Sequence, residues 1–188
     1  MFGLLPNLVT DQMRREAKVI NFGIIYGMSS YGLAKELGIN PKAASAFIDN
    51  YFQKYQGVKT YIDSVLIEAK KKEHVSTLMK RRRYLPEINS KNMSARQFAE
   101  RTAINAPIQG TASDLIKVAM INIAKRIERE DLRTKMIMQV HDELVFELPE
   151  KELNAVKQLV QEEMENVVEM TVPLKVGIHW GKNWSEAH

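Results

Sequence analysis

The 188-residue sequence contains no cysteine. That absence excludes disulfides and thiolate metal sites, and it fits a reducing compartment. No apolar run approaches the roughly 20 residues that span a bilayer as a helix, and Met1-Phe2-Gly3-Leu4-Leu5-Pro6 lacks the basic start of a secretory leader. The expectation is a soluble cytoplasmic protein with no membrane partner. Internal repeats, low-complexity tracts and long linkers are also missing. With 45% hydrophobic residues the chain has a globular composition, not a disordered one. Its length allows one ordinary core or two small ones.

What the chain does carry is charge, sorted along its length. The net charge is +4, yet residues 70 to 101 hold ten Lys/Arg against three Asp/Glu, and residues 142 to 188 hold four against ten. The first segment is the usual footprint of a phosphate-backbone partner, and it is equally what a solvated face shows. Within it, Lys80-Arg81-Arg82-Arg83 sets four cations side by side. On an extended segment or turn they repel one another unless an anionic partner is present.

Arg14, Lys18, Phe22 and Tyr26 stand four residues apart. On a helix each member sits about 40° round from the last, so the four form a slowly drifting stripe about 18 Å long. Two cations lead and two rings follow. That order suits a ligand with polyphosphate at one end and a base at the other, since cations neutralise phosphate oxygens and a ring offers a stacking face. Taken alone, the stripe also describes a surface helix with two solvated cations and two core aromatics.

Thr10 before Asp11 and Gln12 predicts an N-cap, and the first helix is expected to run to about Met28. Ser29 to Leu37 reads as a short helix ended by Gly38. Asn40-Pro41 opens another, with Phe47, Tyr51, Phe52 and Tyr55 on its inner face and a break at Gln56-Gly57. Ile62, Val65, Leu66 and Ala69 mark a fourth helix that frays into Lys70-Lys71-Lys72, so an antiparallel helical hairpin is expected. Residues 74 to 86 read as extended. Ser94-Ala95-Arg96-Gln97 has the form of a capping box opening a helix towards Asn105, which Pro107 is expected to interrupt. A long helix over 111 to 130 follows. From Thr134 the period becomes two: Met136, Met138 and Val140 share one face, and the alternation resumes with Leu144, Phe146 and Leu148 after His141-Asp142. A polar helix over 150 to 168 and a final strand over 174 to 180 complete an α+β chain.

Asp142 and Glu143 lie at the turn of that β-hairpin and project carboxylates away from both hydrophobic faces. Magnesium prefers oxygen ligands and takes only one or two protein carboxylates, with water and phosphate filling its other positions. A solvated hairpin tip gives the same pattern, and His141 is then simply a turn residue.

The wording of these segments is more specific than their spacing. Arg14-x-x-x-Lys18-x-x-Asn21-Phe22-Gly23-x-x-Tyr26-Gly27 resembles the fingers-helix motif of family A DNA polymerases, the group typified by bacterial DNA polymerase I. Gln139-Val140-His141-Asp142-Glu143-Leu144 resembles the palm hairpin motif of that family. Between them, Arg101-x-x-x-Asn105-x-x-x-Gln109-Gly110-Thr111 is similar to its template-primer segment. The resemblance runs from Phe2-Gly3 to Trp184 and includes the block Arg81-Arg82-Arg83-Tyr84-Leu85-Pro86.

The resemblance implies a helical fingers lobe over 1–90, followed over 91–188 by part of an antiparallel β-sheet palm with packed helices. By it, Arg14 and Lys18 hold the phosphates of a deoxynucleoside triphosphate, Phe22 packs on sugar and base, and Tyr26 sits beside the template position. Arg81, Arg82, Arg83 and Arg101 contact template-primer DNA, as do Asn105 and Gln109, while His141 lies near the primer terminus. An amide in the minor groove can check base-pair geometry without reading sequence, because acceptors there occupy similar positions in every pair. Asp142 ligates the catalytic Mg2+ ions and Glu143 supports the site, for attack of a primer 3′ hydroxyl on the α-phosphate with two metals stabilising the attacking and leaving oxygens.

The strand motif that carries the family's other metal-binding aspartate has no counterpart in these residues, nor have the thumb and exonuclease regions. The expectation is therefore a polymerase portion that is inactive in isolation, needs the missing N-terminal polymerase portion as partner, and self-associates through an exposed palm edge. A non-catalytic DNA-binding module and one half of a split polymerase are the alternatives.

Overall fold

The computed structural model describes Leu5 and residues 8 to 187. Phe2 and Gly3, where the resemblance starts, lie outside them. The fold is α+β, as expected, with six α-helices and two small antiparallel sheets among the described residues. The chain divides into two units, Met1–Gln109 and Gly110–His188.

In the first unit, α1 (Asp11–Ile25) starts where the cap residue predicts: Thr10 is extended and its Oγ1 accepts from the Met13 N–H. It ends at Ile25, short of the expected Met28, because Gly27 turns left-handed at φ +71°. Gly27 N–H donates to the Ile24 carbonyl and Met28 N–H to the Gly23 carbonyl. This crossed pair satisfies carbonyls that a helix end otherwise leaves open. The side chain of Met28 lies over Gly23, in the space a Cβ there would contest.

Helix α2 (Ser30–Leu37) is capped by Ser29 and closed by Gly38 at φ +66°, and α3 (Pro41–Lys54) is capped by Asn40 with proline in its first turn. Ile20, Ile24, Leu33, Ala34, Ala44 and Tyr51 form the buried core of these three helices. The expected inner face of α3 is narrower than its aromatic content suggests. Tyr51 is buried, but Phe47 and Tyr55 stay exposed at the rim. The expected break at Gln56-Gly57 is instead at Tyr55, whose φ −114°, ψ 60° leaves the helical region, and both residues sit in the first turn of α4 (Gln56–Lys72).

A second core joins α4 to a short ribbon, β1 (His74–Ser76) paired with β2 (Arg82–Tyr84), and to the start of α5 (Met93–Arg129). Its buried members are Ala69, Val75, Leu85, Ile88, Ala99 and Ala103. The cap of α5 is Asn92, whose Oδ1 accepts from the N–H groups of Ser94 and Ala95, so Ser94 is inside the helix and not its cap. Pro107 does not interrupt α5 either. An interior proline removes one helical hydrogen bond and costs about 3 kcal/mol or more. Burial of Ala99, Ala103 and Ile104 before it, and of Ile116, Ala119 and Ile123 after it, offsets that cost.

In the second unit, the latter part of α5, the hairpin of β3 (Lys135–Val140) and β4 (Glu143–Glu147), and α6 (Leu153–Glu165) enclose Ala119, Ile123, Val156, Leu159 and Val160. Arg126 on α5 is ion-paired to Glu162 and Glu163 on α6, at 2.7 and 3.2 Å. Two expectations fail here. A bulge between Met136 and Met138 shifts the register, so Met136 pairs with Phe146 but Met138 with Val145. Met138 is thereby turned from the face that Met136 occupies, and it is exposed. Residues 174 to 180 form no strand. Leu174, Val176 and Ile178 alternate with exposed neighbours, as a strand would, but no ladder pairs with them.

Two outcomes follow from this packing. A Cβ at position 27 meets the Arg101 Cγ at 3.1 Å, and left-handed backbone disfavours any L side chain. Gly27→Ala is expected to lower unfolding stability by about 1–2 kcal/mol in urea titration; an unchanged midpoint overturns this. Glu152 is buried and accepts from Arg133 N–H, Thr134 N–H and the Thr134 hydroxyl. Burial pushes its carboxyl up, but the Thr134 hydroxyl and the two backbone N–H groups outweigh burial and hold it below the ordinary carboxylate range. That stabilisation is present above the unfolded value, about pH 4.3, and is lost as pH falls through the depressed folded value. Glu152→Gln should therefore be less stable than the parent at neutral pH, with the gap in urea midpoint closing on acidification.

Candidate nucleic-acid interface

The α1 stripe is built as its spacing predicts. Arg14, Lys18 and Phe22 are exposed, Tyr26 is half-buried, and Ile20, Gly23 and Ile24 face the core. The Phe22 and Tyr26 rings stack at 6.1 Å between centroids and 16° between planes. Phe22 keeps 52% of its surface open, so its outer face remains available to a planar ligand. Asn21, beside the rings, accepts a 2.7 Å hydrogen bond from the Tyr51 hydroxyl, which ties this part of α1 to α3. The stripe thus offers two cations and a stacked aromatic pair on a helix fixed from behind.

The left-handed turn at Gly27 brings the end of this stripe against Arg101 of α5, whose aliphatic stem lies over the glycine. Arg101, Asn105 and Gln109 follow at helical spacing on α5, which remains helical through Pro107. Arg101 and Gln109 are exposed and Asn105 is half-buried. Asn105 Oδ1 is shielded from solvent and has no hydrogen-bond partner, the only such side-chain atom found among the described residues. A buried acceptor left without a donor costs about 1–3 kcal/mol, so stability alone does not account for an amide there.

Arg81, Arg82 and Arg83 are all exposed on and beside β2. Cross-strand partners share a face, so Arg83 opposite Val75 and Arg82 opposite Ser76 put cations on both faces of the ribbon. The sequence marked this segment by its charge and by the family resemblance, and missed the contact between Gly27 and Arg101. The one available signal for that contact was a glycine ending the stripe.

In the second unit the acidic turn is a two-residue hairpin. His141 takes the left-handed conformation at φ 53°, as the first residue of a tight primed turn does. Its carbonyl accepts from Gln139 Nε2 at 2.9 Å. The two-residue loop sets Val140 opposite Glu143 and Gln139 opposite Leu144, and the bulge in β3 shifts the register beyond Met138. His141, Asp142 and Glu143 are all exposed. No group of three or more His, Asp or Glu able to hold a metal ion occurs among the described residues. Two carboxylates on one turn nevertheless match the one or two that magnesium takes from a protein. Their donor set fits that ion as a partial site, with Asp142 offering the ligand oxygens and Glu143 beside it.

Comparison with known proteins accords with this geometry. The family model described as DNA polymerase family A matches residues 1–186. DNA polymerase I of Bacillus subtilis is 50% identical over 187 residues, covering 100% of this chain and 21% of the relative. DNA polymerase I of Geobacillus stearothermophilus is 52% identical over 179 residues, 95% of this chain and 20% of the relative. Among solved structures, the POL domain of Pol1 from M. smegmatis, in complex with DNA primer-template and dNTP, superposes with a TM-score of 0.96 at 44% identity. That match covers 99% of this chain and 33% of the other. The present chain thus spans about a fifth of the length of these curated relatives. A match over nearly every residue, in sequence and in fold, shows that the chain belongs to DNA polymerase family A.

Proposed function

We propose that this chain is the nucleotide- and template-primer-contacting part of a DNA-directed DNA polymerase, with fingers over 1–90 and the C-terminal part of the palm over 91–188. The observation that carries this reading is the α1 stripe ending against Arg101. Exposed cations and a stacked aromatic pair on one helix meet, at a left-handed glycine, the arginine that heads a second polar stripe. In this reading Arg14 and Lys18 hold triphosphate oxygens, Phe22 packs on sugar and base, and Tyr26 sits beside the template. The solved Pol1 domain in complex with DNA primer-template and dNTP supports both ligand classes for the same fold.

Arg81, Arg82, Arg83 and Arg101 bind backbone phosphates, while Asn105 and Gln109 face the minor groove and His141 lies near the primer terminus. Asp142 holds Mg2+ with Glu143 supporting it. Two such ions, when bound, stabilise the attacking and leaving oxygens of the transfer. Among the described residues the acidic turn has a pair of carboxylates and no third metal-binding group beside them, so in this reading the chain binds substrates without completing the reaction. Primer extension by purified chain should accordingly be absent with Mg2+. Mg2+-dependent extension that Asp142→Ala abolishes overturns that expectation.

Binding tests the interface itself. For duplex DNA, log K falls with log salt by roughly 0.9 per neutralised phosphate, so three or four contacts from the four arginines give a slope of about −3 to −4. Replacing Arg81 and Arg82 by Ala should reduce its magnitude by up to about 2. Asn105→Ala should weaken binding at nearly constant slope, since a neutral amide releases no counterion. Titration of labelled primer-template across a salt series reads all three. Affinity independent of salt, or no binding at low salt, removes the basic face from the account.

A further inference from the structure

The loop between β1 and β2 is a tightly specified turn with unsuitable residues at its apex. Thr77 N–H donates to the Arg81 carbonyl at 2.9 Å, Lys80 N–H donates to the Thr77 carbonyl at 3.0 Å, and Arg81 N–H donates to Thr77 Oγ1 at 3.1 Å. Lys80 is left-handed at φ 67°, and Thr77 is buried. This is a three-residue hairpin loop, a turn over 77–80 followed by a left-handed residue. The central positions of such turns favour Gly, Pro, Asn, Asp or Ser. Here they are Leu78 and Met79, with 54% and 39% of their surface exposed. Two apolar side chains are thus held in water at the tip of a short, hydrogen-bonded ribbon.

Immediately behind the tip the ribbon is cationic. Arg82 and Arg83 lie on its two opposite faces, and Lys80 borders the apex. A membrane-docking tip is best served by cations on one side, towards the lipid headgroups. Cations on both faces suit a partner with phosphates on both sides of a recess, which is the arrangement of a duplex groove.

We propose that this turn is a wedge: Leu78 and Met79 enter a base step of bound duplex DNA and unstack it, while Lys80, Arg82 and Arg83 hold the flanking phosphates. Leu and Met are among the side chains that kink a duplex in this way, at an unstacking cost of a few kcal/mol per step that the added contacts offset. Because cost and gain offset, the apolar pair governs the shape of the bound DNA more than the affinity. The inference rests on the DNA-binding reading above and adds a deformation that charge alone does not produce.

The test uses the 188-residue chain and duplexes carrying 2-aminopurine at successive steps, at low salt. Saturating protein should raise the fluorescence at one or two adjacent steps. Leu78→Ser with Met79→Ser should abolish that rise while changing affinity by no more than about threefold. Leu78→Ala with Met79→Ala should behave alike, so that a folding defect in one pair, checked by circular dichroism, does not decide the result. Arg82→Ala with Arg83→Ala should weaken binding itself. Tight, salt-dependent binding without a fluorescence rise, or an equal rise in both apolar variants, overturns the wedge and leaves the interface standing. Absence of any DNA binding overturns both. Anionic vesicles of phosphatidylserine and phosphatidylcholine serve as the competing partner. Capture by them that depends on Leu78 and Met79, with no base unstacking, also overturns the wedge.

Discussion

Continuity of α5 through Pro107 is the constraint on which most of the first unit's surface depends. A helix broken there would keep Arg101 and Asn105 in register with each other but release Gln109, which lies beyond the proline. Proline cannot donate to the carbonyl four residues back, so local preference argues for the break. The helix persists because packing holds it on both sides of the proline: Ala99 and Ala103 are buried against α4 and the β1–β2 ribbon before it, and Ala119 and Ile123 against α6 and the β3–β4 hairpin after it. Alanine at 99, 103 and 119 allows close packing, and that packing outweighs one lost hydrogen bond. Within the first unit, burial of Ala99 and Ala103 thereby sets the line of the polar stripe, about half a turn away from them.

The same division of labour holds for α1. Ile20, Gly23 and Ile24 point inward, and residues offset from them by about half a turn carry the cations and Phe22 outward. Gly27 then acts twice. Its left-handed backbone closes the helix with crossed hydrogen bonds, and its missing side chain leaves room for the stem of Arg101. On the proposed reading, a residue with no functional group of its own fixes where the nucleotide stripe meets the template stripe.

What was legible in the sequence follows from how local each feature is. Thr10, Ser29 and Asn40 cap the helices they were expected to cap, and Gly38 closes α2, because a cap is decided by a few adjacent residues. The order of motifs was enough for the family, and the stripe residues of α1 lie where periodicity puts them. The misses arise where neighbouring candidates compete or where a partner strand decides. Asn92 took the cap from Ser94 because it precedes the helix by the right number of residues, and both are good caps. The bulge in β3 reverses Met138 although the hydrophobic alternation runs straight through it. Residues 174 to 180 keep the burial alternation of a strand and lack only a ladder, which no sequence pattern within them can supply. At Asn105 the residue was legible, but its shielded, unsatisfied oxygen was not.

On the proposed reading, the acidic turn shows how far local structure can take a reaction centre. Its backbone is over-determined: a two-residue loop, a left-handed His141 and the Gln139 side chain bound to the His141 carbonyl leave Asp142 little choice of position. The two-residue loop sets Val140 opposite Glu143, and the bulge reconciles that register with the pairing of Met136 and Phe146 farther along. Position is only part of what metal-assisted transfer needs, however. Two cations close together repel, and holding them requires negative charge from more than one direction. Asp142 and Glu143 are consecutive on one turn, so they approach from a single side. On the proposed reading, substrate recognition by the first unit draws on cations, rings and amides already assembled on two of its helices. On the same reading, the chemistry draws on a carboxylate pair that no third acidic group or histidine joins among the described residues.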